Sequence, residues 1–384
     1  MNPFTKITVF RKLKSGSRLL GCFILIALVT APLIFALVFS ESMMNGISEK
    51  YICLSDGHIQ TREDISSIPE QMLYSADSVI YGNVLIYSST ETSPLMVKGV
   101  TDSYFNEKRS NQIHFVSQAE DESNLSGIII SRSTAEKLNV GVGDKVAMMI
   151  VPENSDRVLR PVLARVTGIF YTGYDSLDKN LSFVDNEYAI KLFSNETPIY
   201  ELIVNSPYSE DLNSVLSYLP SLAETSIWSS KNTAVYENFV SSRQMIMIIL
   251  LLVVAVAAFY TASVANQIVE DDMKNIAIYK LLGANNSQIK NSLFVSVYTV
   301  TIAGILVGLL IGLLLSLNMG PILTYLSDKG LEGLSFYLLD FDVTVPFLRI
   351  SLLLMTLLII SFITVRITLR RTGRITPIQL FTSL

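Results

Sequence analysis

Two histidines, His58 and His114, and two cysteines, Cys22 and Cys53, are all the chain offers of the side chains that most often bind metal or act as nucleophiles. Neither histidine has a cysteine or acid at metal-ligand spacing, and no H-E-x-x-H stretch is present. A G-x-x-x-x-G-K-[ST] phosphate loop is also absent, which excludes ATP hydrolysis by that route. Gly141 and Gly143 give G-x-G without a third glycine, and a turn before a strand accounts for them. The acids Glu120, Asp121 and Glu122 read as a solvated loop. No catalytic residue and no metal site is expected.

The residues with a message are apolar. Half of the 384 residues are hydrophobic and 16% are charged, against about 25% charged in an ordinary soluble chain. Mean hydropathy is +0.43. Charge is missing from residues 19–40, 244–269, 291–327 and 350–365. About 20 mostly apolar residues cross a bilayer. The first three runs meet that length, and the fourth does if its helix begins near Val343 with Arg349 snorkelling to the interface. No run carries an ionisable residue at its centre, where proton relays and ion-coupled transporters need one. The helices are therefore expected to carry force or hold an apolar surface, with energy supplied by a partner.

The fold class expected is a membrane protein, four transmembrane α-helices with a large α+β extracytoplasmic domain between helices one and two. Residues 1–18 form a basic cytoplasmic N-terminal segment with Lys6, Arg11, Lys12, Lys14 and Arg18, and residues 366–384 a basic cytoplasmic tail. Positive flanks stay inside, so both termini are placed in the cytoplasm. Transmembrane helices are expected at 19–40, 244–269, 291–318 and 343–365. Residues 41–243 lie outside, with 27 acids against 15 bases, as does the loop 319–342. Helix one is read as retained rather than cleaved, since no small-x-small site closes it. Pro32 should kink it.

The outer domain reads as strands at residues 78–87, 95–100, 126–131, 145–151, 162–170, 181–184 and 199–204. Short helices are expected near 131–138, 186–193 and 209–219. Two cysteines in separate regions give no disulfide framework. Residues 270–290 form a short cytoplasmic coupling segment, charged in both signs but carrying Ile276, Ile278, Leu281 and Leu282. A plain polar connector would not need that apolar set. Gly283 suits a helix C-cap, and Asn285 or Asn286 the cap of the next helix. Gly304, Gly308 and Gly312 lie four apart on helix three and form a face for close helix packing.

The run Asn275-Ile276-Ala277-Ile278-Tyr279-Lys280-Leu281-Leu282-Gly283-Ala284, followed by the glycine-rich third helix, resembles the FtsX/MacB superfamily (type VII) of ABC-transporter permeases. Ser42-Met43-Met44-Asn45-Gly46, the following Asp56-Gly57-His58-Ile59, Gly168-Ile169-Phe170-Tyr171-Thr172-Gly173 and the aromatic stretch Phe336 to Phe341 are similar to segments of the lipoprotein-releasing LolC/LolE type. The sequence departs from the pattern at Asn275, where an acid is usual. The resemblance implies a non-catalytic permease in a bacterial inner membrane, working by mechanotransmission. It implies no cofactor in this chain, with ATP and Mg held on a partner ATPase dimer that docks on Ile276, Ile278, Tyr279, Lys280, Leu281, Leu282, Gly283 and Ala284. Further implied partners are a second permease, identical or different, a lipoprotein cargo, a periplasmic carrier and membrane lipid. No nucleic acid is implied. Phe39, Met43, Met44, Phe259 and Tyr260 are expected to line an apolar substrate cavity. An inserted subdomain is expected over about residues 113–194. Within the same superfamily, two other readings are MacB-like export of peptides or small molecules and an FtsX-like regulator of a cell-wall hydrolase that transports nothing.

Overall fold

The structure, a computed structural model, describes residues 17–89, 91–118, 126–150, 161–193, 197–329 and 342–370. The expected basic N-terminal segment up to Gly16, the Glu120 to Glu122 loop, the aromatic stretch before the last helix and most of the C-terminal tail lie outside the described residues, while Arg18 falls within the first helix. The described residues fall into two compact units. One lies within Met1–Ser42, Phe239–Met319 and Val343–Leu384, the other within Met43–Asn238 and Gly320–Asp342.

Helix α1, Ser17–Lys50, is longer than the apolar run 19–40 that announced it. It passes Pro32 and continues past its last apolar stretch into a π-helical turn, Tyr51–Asp56, all six residues of which are buried. Gly57 ends the turn at φ +65, a conformation open to glycine.

The second unit is built on ten strands. They are β1 (Ile59–Thr61), β2 (Leu73–Tyr87), β3 (Thr92–Val100), β4 (His114–Gln118), β5 (Gly127–Ser131), β6 (Lys145–Ile150), β7 (Val162–Tyr171), β8 (Leu181–Asp185), β9 (Ile199–Val204) and β10 (Thr225–Ile227). Helix α2, Arg132–Leu138, follows β5, and helix α3, Asn186–Leu192, follows β8. Both start on a side-chain cap. The Ser131 hydroxyl accepts from Thr134 N, and the Asp185 carboxylate from Glu187 N and Tyr188 N.

The pairings close on themselves. β2 pairs with β3, β3 with β8, β8 with β5, β5 with β7, β7 with β6, and β6 returns to β2. The result is a six-stranded barrel, which leaves no free edge in the ring. Its interior holds Ile80, Val84, Leu95, Val97, Ile128, Ile130, Met148 and Val166, with α2 and α3 adding Leu138 and Ala189. Residues 80–100 thus share one core with the segment 113–194, because the β2–β3 hairpin supplies two of the six staves. The strand β2 also serves a second sheet. Its first half, Leu73 to Val79, pairs with β9, which pairs with β1, which pairs with β10. That sheet covers a smaller core of Ile59, Ile68, Leu202, Val204, Val215 and Leu219.

The first unit is helical. With α1 go α4 (Thr233–Asp271), α5 (Met273–Leu281), α6 (Asn286–Leu317) and α7 (Phe347–Arg370). Four helices, α1 with its π turn, α4, α6 and α7, are long and apolar enough to cross a membrane. They share a core including Cys22, Ile26, Ile34 and Val38 of α1, Val254 and Ala265 of α4, Leu293 and Val297 of α6, and Leu353, Leu357 and Val365 of α7. Five hydroxyls buried in this unit are satisfied within their own helices, whereas the buried Ser361 hydroxyl of α7 has no hydrogen-bond partner. Thr30, Thr261, Ser296, Thr301 and Ser316 each donate to the carbonyl four residues back, at 2.7 to 3.0 Å. In an apolar medium an unmade hydrogen bond costs several kcal/mol, so such local closure is strongly favoured.

Ionic ties sit at the two ends of the bundle. Arg18, at the start of α1, meets Asp271, at the end of α4, at 2.6 Å. At the other end the Glu41 carboxylate of α1 accepts from Arg349 of α7 and from Arg243 of α4, the latter at 3.5 Å. Arg349 thus lies at the end of its helix, paired with Glu41.

Candidate functional site

The segment between α4 and α6 is a short helix with two sharp ends. Helix α5 closes on itself at its C-terminus. Ala284 N donates to Tyr279 O at 2.9 Å and Gly283 N to Lys280 O at 3.1 Å, with Gly283 at φ +88. This pair of bonds is a Schellman closure, and the positive φ is why glycine stands there. Two residues later Asn285 opens α6. Its side chain accepts from Ser287 N, while Gln288 Oε1 accepts from Asn285 N at 3.2 Å. The chain therefore turns a defined corner at residues 282–285.

The eight residues singled out on this segment divide between two environments. Ile276 and Ala277 are buried, Ile276 in the helical core. Tyr279 and Ala284 are half-buried and pack against the same core. Ile278, Leu281 and Leu282 face outward at 52, 66 and 79% exposure, and Gly283 is exposed beside them. Lys280 sits among them half-buried, its ammonium pulled below the ordinary lysine range by partial burial and by nearby Lys290. Three large aliphatic side chains at the tip of a helical corner, with cations alongside, form an apolar surface anchored by a buried side. Such a surface can take an apolar surface of another molecule.

Gly304, Gly308 and Gly312 lie against α1. A Cβ at Gly304 would stand 3.0 Å from Phe23 O, at Gly308 2.6 Å from Thr30 Cβ and 2.8 Å from Ala27 O, and at Gly312 2.7 Å from Ala31 O. The α6 glycines recur every four residues, and so do the α1 backbone groups they meet, at Phe23, Ala27 and Ala31. Backbone therefore approaches backbone over two helical turns, which larger residues would prevent.

The five cavity residues are not alike in their surroundings. Phe259 is 75% exposed, whereas its neighbour Tyr260 is half-buried and packs on the helical core. Phe39 is half-buried and stacks on Phe35, ring centres 6.1 Å apart. Met43 is half-buried and Met44 buried.

A buried cluster of charge in the second unit carries no local mark of its pairing in the sequence. In the second unit Lys98 of β3 is buried and pairs with Glu201 of β9 at 2.6 Å. Arg109 is buried and pairs with Asp77 of β2 at 2.7 Å. Asp56, the last residue of the π turn, pairs with Lys231 at 2.8 Å. Desolvation pulls the Lys98 ammonium down and pushes the Glu201 carboxyl and the Tyr104 phenol up. The available signal was a lone lysine among the buried Val97, Gly99 and Val100, and a lone glutamate before Leu202, Ile203 and Val204. His58 is also structural. Its Nδ1 accepts from Val204 N at 3.0 Å, and burial, with Lys108 nearby, lowers its pKa to about 4. Within the Gly168 to Gly173 motif, the Thr172 amide and hydroxyl both donate to Asp178 Oδ1, at 2.9 and 2.7 Å. Among the described residues no group of three or more His, Cys, Asp or Glu could hold a metal ion.

Four helices of bilayer length, a β-rich domain between the first and second, and a capped corner between the second and third define a multi-helix membrane protein. Residues 247–377 match the family described as FtsX-like permease C-terminal. The chain is 25% identical over 262 residues to the lipoprotein-releasing system transmembrane protein LolC of Xylella fastidiosa, covering 66% of this chain and 63% of that one. It is 26% identical over 279 residues to the corresponding LolE of Haemophilus influenzae, covering 67 and 64%. The match thus spans just under two thirds of the length of these curated relatives. The solved extracellular domain of the noncanonical ABC-type transporter YknZ, from Gram-positive bacteria, covers 40% of this chain and 77% of that chain, at 15% identity and a TM-score of 0.28. The β-rich domain's architecture rests on its own strand pairings.

Proposed function

We propose that this chain is the permease subunit of an ABC transporter, driven by mechanotransmission and releasing lipoproteins from the outer leaflet of a bacterial inner membrane to a periplasmic carrier. The chain is non-catalytic in this reading. ATP and Mg bind a separate ATPase dimer, which docks on the α5 corner through Ile278, Leu281 and Leu282. A second permease, identical or different, completes the pair. Both termini lie in the cytoplasm, as the basic flanks of the sequence favour, and the β-rich domain lies outside.

The observation that carries the reading is the α5 corner, three exposed aliphatic side chains on a rigidly capped helix inside the FtsX-like match. The names of the LolC and LolE relatives support the choice of cargo. So does the lack of ionisable residues at mid-helix, since force rather than ion flux is then what the helices carry. Drawing acyl chains from a bilayer costs about 0.8 kcal/mol per CH₂, so release needs an energy source, and ATP supplies one. Phe259 and the exposed apolar stripe near it on α4 are the surface offered to acyl chains or to the second permease.

Reconstitution in proteoliposomes tests this. The chain, a candidate partner ATPase and a candidate second permease are combined with a fluorescent triacylated lipoprotein and a soluble acyl-binding carrier. ATP-dependent appearance of lipoprotein in the soluble fraction is expected. ATPase turnover with no lipoprotein release, or release of soluble peptides instead, overturns the choice of cargo.

A further inference from the structure

An α-helix ends with four carbonyls that have no partner within the helix. At the domain end of α1 those of the π turn are all taken, and mostly by cations. Ile52 O accepts from Gly57 N at 2.9 Å. Cys53 O accepts from Arg109 Nε at 2.9 Å, Leu54 O from Lys98 Nζ at 3.0 Å, and Ser55 O from the same Nζ at 2.8 Å. The Tyr104 hydroxyl, itself bonded to Lys98, adds a contact to Leu54 O at 3.2 Å. Positive charge at a helix C-terminus is favourable, and here both cations are buried and each has its own carboxylate, Glu201 or Asp77.

The same network reaches the start of α4. Asp56 accepts from Lys231 at 2.8 Å and from Asn232 Nδ2 at 2.8 Å, directly before α4 begins at Thr233. Lys231 also donates to Gln60 Oε1 at 2.8 Å and to the Tyr81 hydroxyl at 3.0 Å. Gln60 Nε2 donates to Glu201 Oε1 at 2.9 Å, and Glu201 returns to Lys98. The path closes, from the end of α1 through Lys98, Glu201, Gln60 and Lys231 to the beginning of α4, and back through Asp56. Apolar packing of equal volume would stabilise as well or better. What a buried network adds is a fixed geometry, because sliding or twisting one member leaves another buried charge unpaired.

We propose that this network is a clasp that locks the end of α1 and the start of α4 to each other and to the sheet, so that movement of the two helices reaches the β-rich domain undiminished. Asp56, Lys98, Glu201, Gln60 and Lys231 are positioning residues in it. The inference deepens the permease reading and rests on it for its consequence, but the clasp itself is measurable without transport.

The test uses the full chain in nanodiscs with Asp56→Asn and Lys231→Met combined, which removes one pair without stranding a charge. Spin labels at Asn45 on α1 and Glu237 on α4 report the distance distribution, the native cysteines being buried. A narrow distribution is expected for the parent and one at least twice as wide for the variant. Equal widths overturn the clasp. With the ATPase partner present, the variant is expected to bind it and hydrolyse ATP as the parent does while lipoprotein release falls about tenfold or more. Broad distances with undiminished release overturn the transmission role. Failure of the parent to bind any ATPase overturns the permease reading alone, and the distance measurement still decides the clasp. Lys231→Arg alone, which keeps a cation for Asp56, is expected to retain the narrow distribution, and a widening as large as the double variant's overturns the role of the pairing.

Discussion

Lys98 and Glu201 show how far a residue's type misleads about its place. Charged side chains are expected at the surface, and both lie fully buried in the β-rich unit, 2.6 Å apart. Removing one partner leaves the other charged and desolvated, at a cost of about 3–5 kcal/mol. Lys98→Met is therefore expected to lower stability strongly, and Lys98→Met combined with Glu201→Met to recover much of the loss. Denaturant melts of the three chains check this, and a double variant no better than the single one contradicts it. His58 makes a prediction in pH. Its folded pKa of about 4 lies below the ordinary 6.5, so the unfolded chain binds the proton more tightly. Its contribution is fully present above pH 6.5 and is lost as pH falls towards 4, a change of order 3 kcal/mol. Melts at pH 7.5 and 5 are expected to differ by more in the parent than in His58→Gln, which keeps an acceptor for Val204 N. These contacts were not legible in the sequence because each joins strands or turns more than a hundred residues apart, and no local pattern marks such a partner.

Elements were more legible where one physical cause fixes them. Four charge-free runs announced α1, α4, α6 and α7, since only a bilayer or its equivalent tolerates such stretches, but their ends were not. Helix α1 runs to Lys50 because the β-rich unit buries its polar continuation, and a count of apolar residues stops at 40. The barrel was less legible. Its strands could be read one by one, yet closure depends on β6 returning to β2, and the dual use of β2 depends on β9 pairing with its first half only. Hence residues 80–100 share the core of 113–194. The glycine face of α6 supports a graded prediction. A Cβ at Gly308 or Gly312 meets α1 backbone oxygens at 2.8 and 2.7 Å, whereas at Gly304 the nearest is at 3.0 Å. Gly308→Ala and Gly312→Ala are each expected to cost about 1–3 kcal/mol, with Gly304→Ala milder. Thermal unfolding in detergent measures the order, and equal, negligible effects at all three contradict the close approach of α6 to α1.

At the scale of the molecule, no group of three or more His, Cys, Asp or Glu among the described residues could hold a metal ion. In the proposed reading the energy comes from a partner, which needs a place to dock. The permease account puts it at the α5 corner, where Ile276 and Ala277 are anchored inward and Ile278, Leu281 and Leu282 are left outward. That division was half legible. The apolar set marked the segment, but only the packing of α5 separates the residue that holds it in place from those free to bind. The decisive measurement is the affinity of the detergent-solubilised chain for a candidate partner ATPase, comparing the parent with Leu281→Glu/Leu282→Glu. Both positions are exposed, so the fold is expected to be unchanged by circular dichroism and melting temperature. The account predicts at least a hundredfold weaker binding in the variant. Binding equal to the parent's, in a variant with an intact fold, would contradict it.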